Sequence, residues 1–250
     1  MESFATSFEA MFQARPAGED RFSFLGPKTK WRRVYGGLVV SQSLAACNRT
    51  VDHDKSVHSL HAYFLLPGDP NEPILYEVSR LRDGRSFAVR SCRALQKGQV
   101  IFTLTASYHA QETGFDHFVP APAINKPDAL MSFDELHRKY TPTRPRKIFE
   151  YCADFVPLDI RPADPQRYFP QVGGSENDYA QAVWFKSSTK LAPSAALHQE
   201  VLAYASDMTL LDATLAPHTR SVTDGGIQPA SLDHAIWFHR PVNADEWMLY

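Results

Sequence analysis

The sequence predicts an α+β fold made of two similar half-units, and three observations carry that reading. A segment rich in small residues, WRRVYGGLVVSQSLAACNRTVD (31–52), suits a helix and is followed by four alternating stretches separated by turn signals. A second, clearer helical pattern at 195–215 is again followed by strand-like segments. The order of elements repeats even though the residues do not. A helix, HSLHAYFLLP, a Pro-rich turn and ILYEV stand beside a helix, SLDHAIWFHRP, a short turn and EWMLY. Two such half-units pair most simply into one continuous antiparallel sheet with both helices on one side.

Each element has a local reason. Gly36-Gly37 permits a tight turn or a close backbone approach, and the small residues after it let a helix lie close to a sheet. Strands are expected near 57–66, 74–82, 85–95 and 99–109, with Asp83-Gly84 and Lys97-Gly98 as hairpin signals. Residues 110–150 break the pattern with Pro120, Pro122, Pro127, Pro142 and Pro145, and read as a linker with a short helix at Met131–Lys139. Beyond it, FEYCADFVPLDI and YAQAVWFKS read as strands. The helix at 195–215 carries Leu197, Val201, Tyr204, Ala205, Met208 and Leu211 near helical spacing. The expected organisation is a first module at 1–110, a linker at 111–150 and a second module at 151–250. The first half completes four strands after its helix and the second only two, so the second unit is expected to be incomplete, with an exposed sheet edge.

Composition bounds the function classes. A formal charge of -2 gives no long-range attraction to nucleic acid. The basic runs Lys28–Arg33 and Arg138–Lys147 are broken by Thr, Trp and Pro, and read as solvated loop in preference to a phosphate site. Cys47, Cys92 and Cys152 show neither metal spacing nor a disulfide framework, which makes a reducing, intracellular compartment the default. The N-terminus lacks a signal-peptide pattern, and no stretch approaches 18 apolar residues, so no membrane insertion is expected. The glycine pair matches neither GxGxxG nor GxxxxGK, which argues against a nucleotide loop.

Asp207, in LAYASDMTLLDATL, is the carboxylate of most interest, because a carboxylate on an apolar helical stripe is costly unless bonded. Periodicity alone favours a helix-end Asp accepting bonds near solvent, and puts Asp212 about 140° around the helix, away from it. Ser231, Asp233 and His234 invite comparison with a triad. In a strand, however, Ser231 and Asp233 share a face while His234 points away, and there is no G-x-S-x-G elbow. Ser231 can still hold a water or a carbonyl beside Asp207, and an Asp base with a positioning hydroxyl suits hydrolysis of an activated ester. The histidines are dispersed, with no HExxH and no compact cluster, so no metal is expected. His58 and His234 fall early in corresponding strands, where a core or groove-lining role stands beside catalysis. Together with Gly36 and Gly37 they are the candidate substrate-binding residues.

Several motifs together resemble one family. VYGGLVVSQSLAA, HSLHAYFLLPGDP, YEVSRLRDGRSFAVRSCRALQKGQVIFTLTASYH, YASDMTLLDATL and SLDHAIWFHRP-x(5)-WMLY are similar to the acyl-CoA thioesterase II family of bacterial and peroxisomal type. The similarity runs, with gaps, from about Asp20 to Tyr250. It implies a double-hotdog fold, each module a long helix wrapped by an antiparallel sheet. It also implies hydrolysis of acyl-CoA thioesters to free acid and CoA, without cofactor, metal or covalent intermediate. Its catalytic Asp falls on Asp207 and its Thr or Ser on Ser231, which outweighs the periodicity argument for a mere helix-end role. These would orient and activate a water, and an ionised Asp207 held by hydrogen bonds needs no strongly raised pKa. The family's third residue, a Gln in a Gln-Glu-Gly-like segment beyond two further strands, has no counterpart here. Gln228 precedes Ser231, and Gln111 ends the fourth strand of the first module. The alternatives are a non-catalytic acyl-CoA or acyl-thioester binding protein of the same fold and, less favoured, a hotdog dehydratase or hydratase, whose short signature is not found. The resemblance favours a homo-oligomer in the cytoplasm or peroxisome.

Overall fold

In the computed structural model of the protein, residues 5, 7–27, 29, 31–140, 158–168, 181–215, 218, 227 and 230–250 are described. The chain runs α1 (Phe8–Met11), β1 (Arg15–Gly18), β2 (Arg21–Ser23) and α2 (Gly36–Asn48), then β3 (Lys55–Phe64), β4 (Leu75–Asp83), β5 (Phe87–Gln96) and β6 (Gln99–Ala110). After these come α3 (Phe133–Tyr140), β7 (Leu158–Pro162), β8 (Val183–Ser187), α4 (Ala195–Ser206), α5 (Leu210–Leu215), β9 (Asp233–Trp237) and β10 (Met248–Leu249). The first part of the strand expected over FEYCADFVPLDI, together with Cys152 and Gln228, lies outside the described residues.

The chain divides into two compact units, the first comprising Met1–Thr113, Leu191–Met208 and Ser231–Asn243. Its sheet has the order β1-β2-β4-β5-β6-β3-β9, and every pairing is antiparallel. Period-two alternation builds it. Along β5, Ala88, Arg90, Cys92 and Ala94 are buried while Phe87 and Arg93 point outward. Lys97 (φ 51°) and Gly98 (φ 77°) both take the left-handed backbone that a two-residue β5–β6 hairpin needs. Helix α2 is buried continuously from Gly37 to Cys47, as befits a central helix of small and apolar residues, and packs against β4, β5, β6 and α4. Arg90 is the largest of the fully buried side chains here. Its guanidinium is 1% exposed and fully engaged by Thr50 Oγ1, the carbonyls of Thr50, Arg82 and Val89, and Asp83.

In the second unit β8 lies between β7 and β10. Its Trp247 ring is covered by Arg161 and Lys186, each 4.8 Å from the centroid. The linker helix begins two residues later than expected, because Ser132 and Glu135 form a reciprocal capping box that fixes its first turn.

This is the double-hotdog architecture, two sheet-and-helix modules with an open second sheet. The strand orders show why. In the first module β2 pairs with β4, and β5 and β6 separate β4 from β3. In the second, β8 pairs with β10 in the same way, and β9 pairs edge to edge with β3 from Ser59↔Trp237 to Tyr63↔Asp233. The expected single continuous sheet is therefore corrected: β9 alone extends the first module's sheet, at β3, because among the described residues no strand joins it to β10. Among the described residues nothing corresponds to β5 and β6 in the second module, and β7, β8 and β10 form a separate three-stranded sheet.

Two further expectations are corrected. The single helix over 195–215 is two helices, because Asp207 leaves the helical conformation (ψ 4°) as the C-cap of α4. Ser206, Asp207 and Thr209 are residues whose side chains compete with the helical backbone for hydrogen bonds. The wheel argument separating Asp212 from Asp207 therefore loses its basis. The strand expected from Ser231 begins at Asp233, so Ser231 lies outside the alternation used to separate it from His234.

Candidate active site

The site forms where the C-terminus of α4 meets the N-terminus of α2. Gly36 and Gly37 do not make a tight turn; they are the first two residues of α2 and allow a close approach. A Cβ on Gly36 would lie 2.4 Å from Asp207 Oδ2, and one on Gly37 would lie 2.3 Å from the Tyr204 carbonyl oxygen. Only glycine lets α4 and its capping carboxylate come this near. Tyr35, the N-cap of α2, reinforces the crossing by donating its hydroxyl to the same carbonyl at 2.8 Å. The Tyr35 and Tyr204 rings meet edge to face at 4.9 Å.

Asp207 is 6% exposed. Its Oδ1 accepts from Ser231 Oγ at 2.9 Å, and the backbone N–H of Gly37 also donates to the carboxyl. The positive end of the α2 dipole favours negative charge here. Burial nevertheless dominates and pushes the carboxyl up to about 6, with the Ser231 and Gly37 bonds pulling the other way. The carboxyl is thus raised, although the role the resemblance implies for it did not require that.

His234 is buried on β9 opposite Ala62 of β3. Its Nδ1 lies 3.8 Å from Asp207 Oδ1 and its Nε2 lies 2.9 Å from Ser206 Oγ. Burial lowers its proton affinity, and the neighbouring Asp233 partly restores it. The structure thus joins Asp207, Ser231, His234, Gly36 and Gly37. Sequence reasoning missed Ser206, whose sole signal was a hydroxyl preceding an interesting Asp, and Phe64, whose ring approaches Gly36.

His58 sits elsewhere. A register shift between Val57 and Ser59 takes it off the alternation that buries Leu60 and Ala62. Its Nε2 is 2.8 Å from Ser107 Oγ, its ring lies against Phe87 and His109, and burial together with His109 lowers its proton affinity. Among the described residues no group of three or more His, Cys, Asp or Glu could hold a metal ion. Nor is any helix there long and apolar enough to cross a membrane.

Comparison with known proteins gives this site a family. Residues 27–109 match the acyl-CoA thioesterase N-terminal domain model, and residues 154–250 match the acyl-CoA thioesterase model. Acyl-CoA thioesterase 2 of Haemophilus influenzae is 34% identical over 220 residues, covering 88% of this chain and 76% of that protein. The chain belongs to the acyl-CoA thioesterase II family. Human acyl-coenzyme A thioesterase 8 is 35% identical over 243 residues, covering 94% of this thioesterase-family chain and 75% of its own length. An acyl-CoA thioesterase II from Mycobacterium marinum, TesB2, superposes with a TM-score of 0.75 at 34% identity, covering 98% and 84% of the two chains. The family-level activity is hydrolysis of acyl-CoA thioesters. A buried carboxyl raised to about 6 and hydrogen-bonded to a hydroxyl has the chemistry of a general base.

Proposed function

We propose that this chain hydrolyses acyl-CoA thioesters with Asp207 as the base that activates water and Ser231 as the hydroxyl that positions it. The supporting observation is the 2.9 Å bond from Ser231 to a carboxyl buried against the α2 N-terminus. Ser231 gives its one proton to Asp207, so its oxygen is left to accept a hydrogen bond from water. Asp207 takes the other water proton as the water oxygen bonds to the thioester carbon. The carbon–sulfur bond then breaks with its electron pair going to sulfur, and the proton held by Asp207 reaches the departing thiolate. The products are the free acid and CoA thiol, and no group is left bound to the protein. Gly36 and Gly37 let the α2 N-terminus approach the Asp207 carboxyl, so its positive potential acts beside the reacting end of the substrate. On the same reading residues 1–110 and 151–250 are the two modules and 111–150 the connection between them.

The test is thiol release from acyl-CoAs of graded chain length, using this chain and a form carrying two further strands at its C-terminal end. Turnover is expected to rise with pH through about 6, the value at which burial places the Asp207 carboxyl, since the ionised form is the base. At pH 5 it falls to about one tenth of its plateau. Asp207→Asn is expected to abolish it. Retained acyl-CoA binding with no thiol release from either form would replace the enzyme reading with that of a binding protein.

A further inference from the structure

Ser206 decides the protonation of His234. Its hydroxyl oxygen lies 2.9 Å from the Ala203 carbonyl oxygen and 2.9 Å from His234 Nε2. The carbonyl can only accept, and a hydroxyl has a single proton to give. That proton goes to Ala203, so His234 Nε2 must carry hydrogen and donate to Ser206. A neutral imidazole with hydrogen on Nε2 has its lone pair on Nδ1. Nδ1 is the atom 3.8 Å from Asp207 Oδ1, and both side chains are at most 6% exposed.

Among the described residues, the groups around this pair come from α2, β3, β9, the loop before β9 and α4 itself. From α2 the carboxyl meets Gly36 and Gly37, with Phe64 of β3 beside them. From the loop before β9 it meets the Ser231 hydroxyl. On its own helix Tyr204 uses its carbonyl to accept from the Tyr35 hydroxyl. His234 faces Ala62 across the β3–β9 ladder and Ser206 on α4, and the charged group bearing on it is Asp233 of its own strand.

We propose that His234 is a positioning residue for Asp207, held by Ser206 as the Nε2–H tautomer so that its Nδ1 lone pair faces the carboxyl. The chemistry follows from which form of Asp207 a lone pair prefers. Beside the carboxylate the lone pair is repulsive. Once Asp207 has taken the water proton, the acid can donate to Nδ1 after a small closure of the 3.8 Å gap. The imidazole therefore makes Asp207 a stronger base and steadies it after proton transfer. In the opposite tautomer, Nδ1–H would stabilise the carboxylate and weaken the base, and Ser206 prevents that exchange.

This inference rests on Asp207 being the base, and the experiment separates the two. Ser206→Ala frees the tautomer, while His234→Gln keeps an amide near Ser206 but removes the group facing Asp207. In the form that turns over, both variants are expected to lower kcat about tenfold with KM within about twofold, a fraction of what a general base contributes. Both are expected to move the acidic limb of the pH profile about half a unit downward, because the carboxyl becomes more acidic. Nitrogen-15 NMR of histidine-labelled protein reads the tautomer directly. His234 is expected to show Nε2–H and an unprotonated Nδ1 in the resting protein, and mixed tautomers in Ser206→Ala. Full activity in Asp207→Asn would overturn the assignment of the base. An inactive Asp207→Asn together with an Nδ1–H tautomer in the parent, or with an unmoved acidic limb in both variants, would overturn the role of His234 alone.

Discussion

Replacing Asp207 by Asn is expected to stabilise the protein while destroying its activity, and the structure sets the size of the effect. Burial moves the carboxyl from its ordinary 3.8 to about 6, against the pull of Ser231 and Gly37. At about 1.36 kcal/mol per pH unit, holding the carboxylate in the folded state costs about 3 kcal/mol at pH 8. The sign follows from the raised value. The fold favours the neutral acid, so the carboxyl's contribution is complete below pH 3.8 and is lost as pH rises through about 6. Asn is neutral at every pH, fills the same volume and, like the protonated acid, keeps one carbonyl oxygen to accept a hydrogen bond. Urea unfolding followed by circular dichroism should therefore show no gain for Asp207→Asn near pH 3. The gain should be about 3 kcal/mol at pH 8 and about half of that at pH 5. In thermal unfolding at pH 8 this is a rise of roughly 6–12 °C for a chain of this size. A difference between the two proteins that stays flat from pH 4 to pH 8, or shrinks as pH rises, would refute the argument. Asp207 would then not be a carboxylate held at cost in a buried site.

Gly36→Ala and Gly37→Ala should fail in different ways. The added methyl at 36 meets the movable Asp207 carboxyl and Phe64 ring, so turnover should fall at least about a hundredfold with the unfolding midpoint little changed. At 37 it meets the Tyr204 backbone carbonyl and the Tyr35 ring, so the helices must separate at a cost of about 2–3 kcal/mol, read by urea unfolding. Glu200 on α4 is pushed up to about 7 by burial, partly offset by Asn48. Glu200→Gln should therefore add about 3 kcal/mol at pH 8 and nothing near pH 4, where the carboxyl is already neutral. Arg90→Met should cost about 3–5 kcal/mol in the same assay, since it strips partners from the Thr50 and Arg82 carbonyls inside the first module.

Where local physics alone determines structure, the sequence was readable. Strands β3 to β6 followed from alternation interrupted by Pro-Gly, Asp-Gly and Lys-Gly, and the structure keeps each to within a few residues. The site was less readable, because its geometry depends on departures from periodicity. Asp207 read as a helix-end Asp near solvent; α4 does end there, but the carboxyl is buried and turns back onto α2. Ser231 and His234 looked opposed by strand parity, but the strand begins after Ser231 and both side chains reach Asp207. His58 appeared to be the partner of His234, and a single register shift sends it into another cluster. Asp207 and Ser231 are 24 residues apart, a separation that carries no geometric signal of its own. They were picked out together by motif similarity.

The glycine pair and the buried carboxyl are two sides of one requirement. A side chain at 37 would hold α4 away from α2, and one at 36 would displace the Asp207 carboxyl from the α2 N-terminus; either would let the carboxyl fall back toward its ordinary value. At neutral pH such a carboxyl would be fully ionised but a weaker base, and Ser231 would have no fixed acceptor. Two residues without side chains keep the helices close enough that burial outweighs the two hydrogen bonds pulling the other way. On the proposed role of Asp207 as base, its proton affinity is set chiefly by the closeness of two helix ends. Substitutions at 36 should accordingly move the acidic limb of turnover even where they leave Asp207 itself untouched.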